Sequence, residues 1–484
     1  MSKKLRLLAL ALAVLMLVPA IFAGCSKDDD KKPDTTTPAA TDNTSAPATD
    51  NTDDSSETTP EKIDLEGYEF HLSTNSYGGL TNVDDKNTHY GTAIYDELLD
   101  IYAEIEADLN CTIVAENVTN DTEAMVAASV GGIKVADFVH GRQSTWIPLA
   151  MMNALRPLES MIDAGLDLYN ENNFNQVYTK MTEIDGHIWA TDMTGKFDNV
   201  ALGHFYAFNK ELCEAAGYPA DTLFQAVRDG KWDYAMMLEI ARKITDDTDG
   251  DGQYDIYGIA LDCDGNEAWT NGTGPIVNKD GKWVANLLDP QLMPALDFMY
   301  ALSQPDMTIP VIGDTASRGQ RRTNFYTGKA GFAGLYGGNF GDEFKEMAGN
   351  GNVGCLPIPK GPNADKYIMN LVDVDIFYCQ AANQDWEKSA KVMNAIGSKV
   401  TSMADYRQQI LDACGGDEQS VEMLFDIALP NAMMNIAKCS DNMYQITRKG
   451  FYKAIYELTL TPAAAAEAYQ DQVQAELDSI FKQK

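Results

Sequence analysis

Hydrophobic and polar positions divide the 484-residue chain into three stretches. Residues 7–22 form an apolar run broken only by Pro19 and preceded by Lys3, Lys4 and Arg6. Residues 26–62 are Asp, Thr, Pro, Ala, Asn and Ser with scarcely an apolar side chain, so they cannot bury enough surface to offset the entropy of ordering and read as a disordered linker. From Ile63 onward the pattern becomes that of a folded body. Tyr68–Thr74 alternates apolar and polar residues and predicts a strand. Ala93–Leu109 places Ile94, Leu98, Ile101 and Ile105 at helical spacing. A short strand over 111–115, a helix over 122–129 capped by Thr122, and a third strand over 136–140 follow. This βαβαβ order predicts a parallel sheet covered by helices, with ligands at the carboxyl ends of the strands.

A second series follows Asn199. It consists of a strand over 200–208, a helix over 210–216 closed by Gly217, and a helix over Tyr234–Ile244 capped by Asp233. Helices over 290–303, Trp386–Val400, 421–429 and Pro462–Phe481 are expected, with a helix-to-strand passage around Gly328 over 324–335. No internal repeat is visible. Roughly 420 residues exceed what one hydrophobic core normally serves, so two lobes are the default.

The apolar run is short and followed at once by polar chain, which suits a signal peptide over residues 1–24 better than a membrane span. Ala23 and Gly24 before Cys25 resemble the lipobox of bacterial lipoproteins, although Phe22 stands where leucine is usual. The resemblance implies acylation at Cys25 and a palmitate-type anchor in the bilayer on the extracellular face, in the manner of a Gram-positive envelope. Residues 25–62 then act as a tether. The net charge of −35 becomes more negative once the basic leader is removed, which disfavours nucleic acid as a partner. Cys111, Cys213, Cys263, Cys355, Cys379, Cys414 and Cys439 show neither a CxxC pair nor zinc spacing, and their odd number leaves at least one thiol unpaired within the chain. A Cys414–Cys439 bridge is an open alternative.

Familiar segments then occur in order: Tyr206-Ala-Phe-Asn-Lys-Glu-Leu212, Glu214-Ala-Ala-Gly-Tyr-Pro219, Gly230-Lys-Trp-Asp-Tyr234, Leu238-Glu-Ile-Ala-Arg-Lys-Ile-Thr245, Asp247-Thr-Asp-Gly-Asp-Gly252 and Tyr257-Gly-Ile259. Ala136-Asp-Phe-Val139 with Leu155-Arg-Pro-Leu158, Phe325-Tyr-Thr-Gly-Lys-Ala-Gly-Phe-Ala333, and Val353-Gly-Cys-Leu-Pro-Ile-Pro-Lys-Gly-Pro362 add to them. Together they resemble the extracellular solute-binding proteins of family 1, the sugar-binding subunits of ABC importers related to maltose-binding protein. The resemblance implies an α/β, two-lobed periplasmic-binding-protein-like fold of type II over residues 63–484, with a hinge of crossing strands near 191–203 and 370–376. Lobe 1 would span about 63–195 and 375–410, and lobe 2 about 200–370 and 411–484. It also implies a monomer that binds a carbohydrate, an oligosaccharide above all, without catalysis, and delivers it to the membrane subunits of an ABC permease. An extracellular carbohydrate-active enzyme, or a sensory or structural surface lipoprotein, are the alternatives. No Ser/His/Asp motif, zinc motif or phosphate loop points to catalysis, and only five histidines are present.

Sugar recognition needs flat apolar faces and planar polar side chains. Trp269, in the polar loop 262–273, and Tyr336, among glycines, match places where the family carries stacking aromatics. Asn75, Ser76 and Tyr77 follow the first strand, and His140, Arg142 and Gln143 follow the third. Asp373 and Asp375 interrupt an apolar run beside the expected hinge. Trp146, Trp189, Trp232, Trp283 and Trp386 read as packing residues. No cofactor is required, but Asp247, Asp249, Asp251, Gln253 and Asp255 have the oxygen spacing of the first nine positions of a calcium loop. Gly258 stands where that loop would carry its closing glutamate, so this segment is either a structural Ca2+ site or an acidic surface turn.

Overall fold

The computed structural model describes residues 62–482, except 75–78, 82, 86, 118–121, 198–201, 309–314 and 373. Ten strands organise it: β1 (Tyr68–Thr74), β2 (Cys111–Asn117), β3 (Phe138–Gly141), β4 (Phe205–Asn209), β5 (Tyr257–Ala260), β6 (Ala330–Leu335), β7 (Val353–Leu356), β8 (Met369–Leu371), β9 (Ile376–Tyr378) and β10 (Ala432–Met434). They form two four-stranded sheets, ordered β9-β3-β1-β2 and β7-β4-β6-β5, and a two-stranded β8-β10 ladder. In the first sheet β1 lies parallel to β2 and β3, with Tyr68 opposite Cys111 and Leu72 opposite Phe138, while β9 runs antiparallel to β3. In the second, β4 runs antiparallel to both β6 and β7, and β6 is parallel to β5.

The chain passes between the sheets where extended segments cross. Thr191 and Phe377 exchange both backbone hydrogen bonds at 2.9 Å, and His204 N–H donates to Asn370 O at 2.9 Å. Gly203 permits this approach, because a Cβ there would lie 2.5 Å from Asn370 O. Farther on, Asn435 N–H donates to Leu371 O at 2.7 Å. Gln143, fully buried, donates from Nε2 to Asn435 O at 2.7 Å and accepts from Val374 N–H at 3.4 Å. One planar amide thereby fastens the end of β3 to two crossing segments. Ser402 N–H donates to Thr194 O at 2.9 Å, and the helix Met403–Ala413 packs on Asp342–Gly349 and Glu418–Val421 beside the second sheet. The return therefore falls near 401–402, whereas the sequence placed it at 410.

The long helices follow their apolar spacing. Ala93–Leu109, Tyr234–Ile244, Trp386–Val400 and Pro462–Phe481 have the expected bounds. Asp233 caps its helix by accepting from Met236 N–H at 2.9 Å. The helix expected from 290 begins at Met293, because residues 289–292 close as a turn in which Leu292 N–H donates to Asp289 O. The segment expected as an α-helix over 421–429 is mostly a π-helix, Glu422–Ala428.

The outer face of the first sheet has a core of its own, where Phe70, Leu72 and Phe138 meet Leu98 and Ile105 from one covering helix and Ile396 from another. Trp146, Ile147 and Tyr178 on the inner side belong to one continuous core with the second lobe, where the helix Gln143–Met151 meets Pro462–Phe481. Trp146, Trp189 and Trp232 are buried as expected. All seven described cysteines are free thiols, including Cys414 and Cys439. Burial, reinforced by Glu106, pushes the Cys111 thiol up to about 11.

Glu267 is a buried carboxylate at the centre of the second lobe. It is 4 % exposed, and its carboxylate accepts from the Tyr206 hydroxyl on β4 and the Tyr456 hydroxyl on a C-terminal helix, each at 2.6 Å. Burial and the adjacent carboxylate push both phenols well above their usual range. Glu267→Ala would strand two buried hydroxyls, each costing about 1–3 kcal/mol. Urea unfolding is expected to show a loss of about 3 kcal/mol for Glu267→Ala and a smaller loss for Glu267→Gln, which keeps an acceptor. Equal stability of the alanine variant and the parent would contradict this role.

Candidate ligand site

Strands β5 and β6 run in the same direction, and their carboxyl ends lead into 261–274 and 336–341 beside the crossing at His204. Polar side chains from distant segments converge here. Asp262 Oδ1 accepts from Arg322 Nη2 at 2.9 Å, while Asp262 Oδ2 lies 3.5 Å from His204 Nδ1. Asp264 pairs with Arg448, which also donates to the Tyr444 hydroxyl. The Arg322 guanidinium lies over the Tyr336 ring at 5.3 Å, and Arg448 lies over the Tyr444 ring at the same distance. The His204 and Tyr336 rings are 5.6 Å apart. Two repeats of one device therefore stand side by side: an aspartate holding an arginine, and the arginine lying over a tyrosine.

In the first lobe, His140 is the penultimate residue of β3, with its ring 4.4 Å from that of Phe377, and its Nε2 lies 4.0 Å from Asp192 Oδ1. Asp192 is oriented by Thr194, whose hydroxyl donates to it at 3.1 Å. Arg142 is exposed at the start of the helix Gln143–Met151. Gln143 is not directed at a ligand, since its amide is committed to the crossing segments. Asp375 is half-buried beside the crossing, and its charge joins burial in raising the Tyr378 hydroxyl. Asn75, Ser76, Tyr77, Asp373 and Cys25 lie outside the described residues.

Tyr336 is half-buried and belongs to the cluster, whereas Trp269 is 4 % exposed. Trp269 closes the turn Asn266–Trp269, and Gly274 lies flat on its indole, where a Cβ would approach to 2.2 Å. Its indole borders a cavity of about 690 Å³ formed with the hairpin Ile276–Lys279/Lys282–Ala285, residues 363–368 and β10. Trp283, expected only to pack, lines this cavity. Trp386 instead carries the Arg156 guanidinium over its ring at 4.5 Å.

His204, Asp262, Asp264, Arg322, Tyr444 and Arg448 were not singled out from the sequence. Asp262 and Asp264 sat in a loop already marked for its place after a strand, which was the one available signal. His204, Asp262 and Asp264 bring ligand atoms within 4.8 Å of one another, but both carboxylates are already neutralised by guanidinium groups. At the acidic turn, Asp247, Asp249 and Asp255 likewise bring carboxylate oxygens within 4.8 Å. Asp247 accepts from the N–H groups of Gly250 and Gly252, both at 2.8 Å, which wraps the turn around it. Hydrogen bonds from Thr248 hold the Asp255 carboxyl below its usual range. Asp251 is turned to Gln253 N–H at 2.8 Å.

No family model and no curated protein sequence matches the chain. Solved structures do. The GacH receptor of Streptomyces glaucescens, described unliganded and with acarbose and an acarbose homolog, aligns over 86 % of this chain and 99 % of its own at 14 % identity, with a TM-score of 0.57. The fold is that of the two-lobed ABC solute-binding proteins. The substrate-binding protein Lmo0181 of Listeria monocytogenes, in complex with cycloalternan, covers 87 % of this chain and 100 % of its own at 13 % identity and TM-score 0.56. The maltose/maltodextrin-binding domain MalE of Bdellovibrio bacteriovorus, bound to maltotriose, covers 84 % and 99 % at 17 % identity and TM-score 0.53. Each match spans both sheets, so the two-lobed type II architecture expected from the sequence stands.

Proposed function

We propose that the chain is the extracellular, lipid-anchored binding protein of an ABC importer, which captures an oligosaccharide between its lobes and passes it to a permease. The observation that carries this reading is the paired Asp–Arg–Tyr arrangement at the strand ends beside the crossings. Guanidinium and carboxylate groups offer planar donors and acceptors to vicinal hydroxyls, and tyrosine rings offer flat faces to the C–H side of a sugar. Structures of the same fold in complex with cycloalternan and maltotriose support the choice of ligand class. One structural neighbour, UgpB of Mycobacterium tuberculosis, is described with glycerophosphocholine, so that ligand belongs among the controls. Binding without turnover is the role proposed; a carbohydrate-active enzyme would instead release new reducing ends from a bound glycan.

No helix among the described residues is long and apolar enough to cross a membrane. Attachment is assigned to an acyl group on Cys25, with residues 26–62 as tether. Mass spectrometry of the N-terminal peptide from membrane-derived protein is expected to show a diacylglyceryl-modified Cys25, and an unmodified cysteine would overturn the anchor. The acidic turn is proposed as a structural Ca2+ site built on Asp247, Asp249 and Asp255.

One thermal-shift series on residues 25–484 with Cys25→Ser tests both binding proposals. Maltodextrins, other oligosaccharides, amino acids, peptides and glycerophosphocholine form the ligand panel. An oligosaccharide at 100 times its Kd would stabilise the fold by about 2.7 kcal/mol, and Tyr336→Ala is expected to weaken it by about tenfold. Stabilisation by a peptide or an amine, with none from sugars, would sink the carbohydrate reading. Millimolar Ca2+ is expected to raise Tm for the parent but not for Asp247→Asn, and an identical Tm with Ca2+ or chelator would remove the ion.

A further inference from the structure

Cys355 and Cys414 meet inside the second lobe, although 59 positions separate them in the chain. Cys355 lies on β7, fully buried, opposite Ala207 of β4. Cys414 ends the helix Met403–Ala413 and is 4 % exposed. Three hydrogen bonds in series lead from one to the other. Cys355 N–H donates to Ser420 Oγ at 2.8 Å, the Ser420 hydroxyl donates to Asp417 Oδ2 at 3.0 Å, and Asp417 N–H donates to Cys414 O at 3.3 Å. Lys210, directly after β4, fixes the same Asp417 oxygen at 2.7 Å. Gly415 and Gly416, at φ +65° and +83°, turn the chain away after Cys414, and a Cβ on Gly415 would lie 2.6 Å from Ala348 O. The helix end is thereby set against Asp342–Gly349, the helix that leads into β7. Burial, joined by a hydrogen bond with Cys414, holds the Cys355 thiol well above its usual range. Cys263 and Cys379 are engaged differently, with their thiols donating to Leu261 O at 3.8 Å and Gln380 O at 3.7 Å.

We propose that Cys355 and Cys414 are a redox pair that closes to a disulfide and fastens the helix Met403–Ala413 to β7. Two S–H bonds break and one S–S bond forms, and the electrons and protons pass to an oxidant of the disulfide class, which becomes two thiols. Cys414, the less enclosed sulfur, attacks the oxidant as thiolate and expels one thiolate. Cys355, once deprotonated, attacks the Cys414 sulfur of the mixed disulfide and expels the second. Burial disfavours the Cys355 thiolate, so closure is fastest while the chain is folding. Met403–Ala413 is the first helix after the return at 401–402. The bridge therefore commits that helix to the second lobe during any motion about the crossings. Supply of the oxidant outside the cell rests on the extracellular reading above, whereas the test supplies it directly and does not depend on location.

Residues 25–484 with Cys25→Ser are refolded from urea in a buffer of reduced and oxidised glutathione, alkylated after denaturation, and mapped by mass as tryptic peptides. Cleavage after Lys438 separates Cys414 from Cys439. Peptides 346–360 and 408–438 are expected to be joined, with five of the seven cysteines alkylated. Cys355→Ala and Cys414→Ala are each expected to leave all remaining cysteines alkylated. Dithiothreitol is expected to lower the Tm of the bridged parent by about 5 °C and to leave both variants unchanged. Seven alkylated cysteines in the refolded parent, or Cys414 joined to Cys439, overturns the pair. Equal Tm for the bridged and reduced parent overturns the fastening. Should an alanine variant fail to refold, the peptide map of the parent still decides.

Discussion

Backbone crossings between the two sheets set the terms for everything else in this molecule. Thr191 with Phe377, His204 with Asn370, and Leu371 with Asn435 are joined by main-chain hydrogen bonds of 2.7–2.9 Å. Such bonds tolerate rotation about the crossing segments better than translation across them, which confines large motion to a hinge. The same crossings place His140 and Asp192 at one lobe's strand ends and His204 and Asp262 at the other's. Gln143 and the absent Cβ of Gly203 are the local conditions that let the segments meet.

The core is distributed in keeping with that motion. The outer side of the first sheet packs by itself against Ala93–Leu109 and Trp386–Val400. Its inner side shares a core with the second lobe, and the helix Gln143–Met151 touches the C-terminal helix Pro462–Phe481. The shared core and the Gln143 amide therefore lie on the same side of the crossings. Glu267 ties β4 to a C-terminal helix through two phenols, so the loop after β5 that carries it is held to both.

Much of this was legible because long amphipathic helices announce themselves. Trp386–Val400 and Pro462–Phe481 needed only spacing and composition. The π-helix Glu422–Ala428 escaped, since apolar spacing of 3.6 residues does not separate α from π backbone. The strand at 205 was expected to start at 200, because hydrophobicity continues through Leu202; His204, however, is paired to Asn370 rather than to the sheet. Among the candidate residues, Tyr336 stands out by its glycine-flanked place after a strand, and it lies beside Arg322 and His204. Gln143 occupies the same kind of position after β3, but its amide is used internally. Arg322 and Arg448 gave no local sign, because their importance comes from Asp262 and Asp264, 60 and 184 positions away in the chain.

The central claim is that ligand is held between lobes that close about these crossings. Small-angle scattering of residues 25–484 with Cys25→Ser, with and without the oligosaccharide giving the largest thermal shift, tests it most directly. A smaller radius of gyration in the saturated protein, at unchanged mass, is the expected result. An unchanged radius at demonstrated saturation would contradict closure and with it this account of the site.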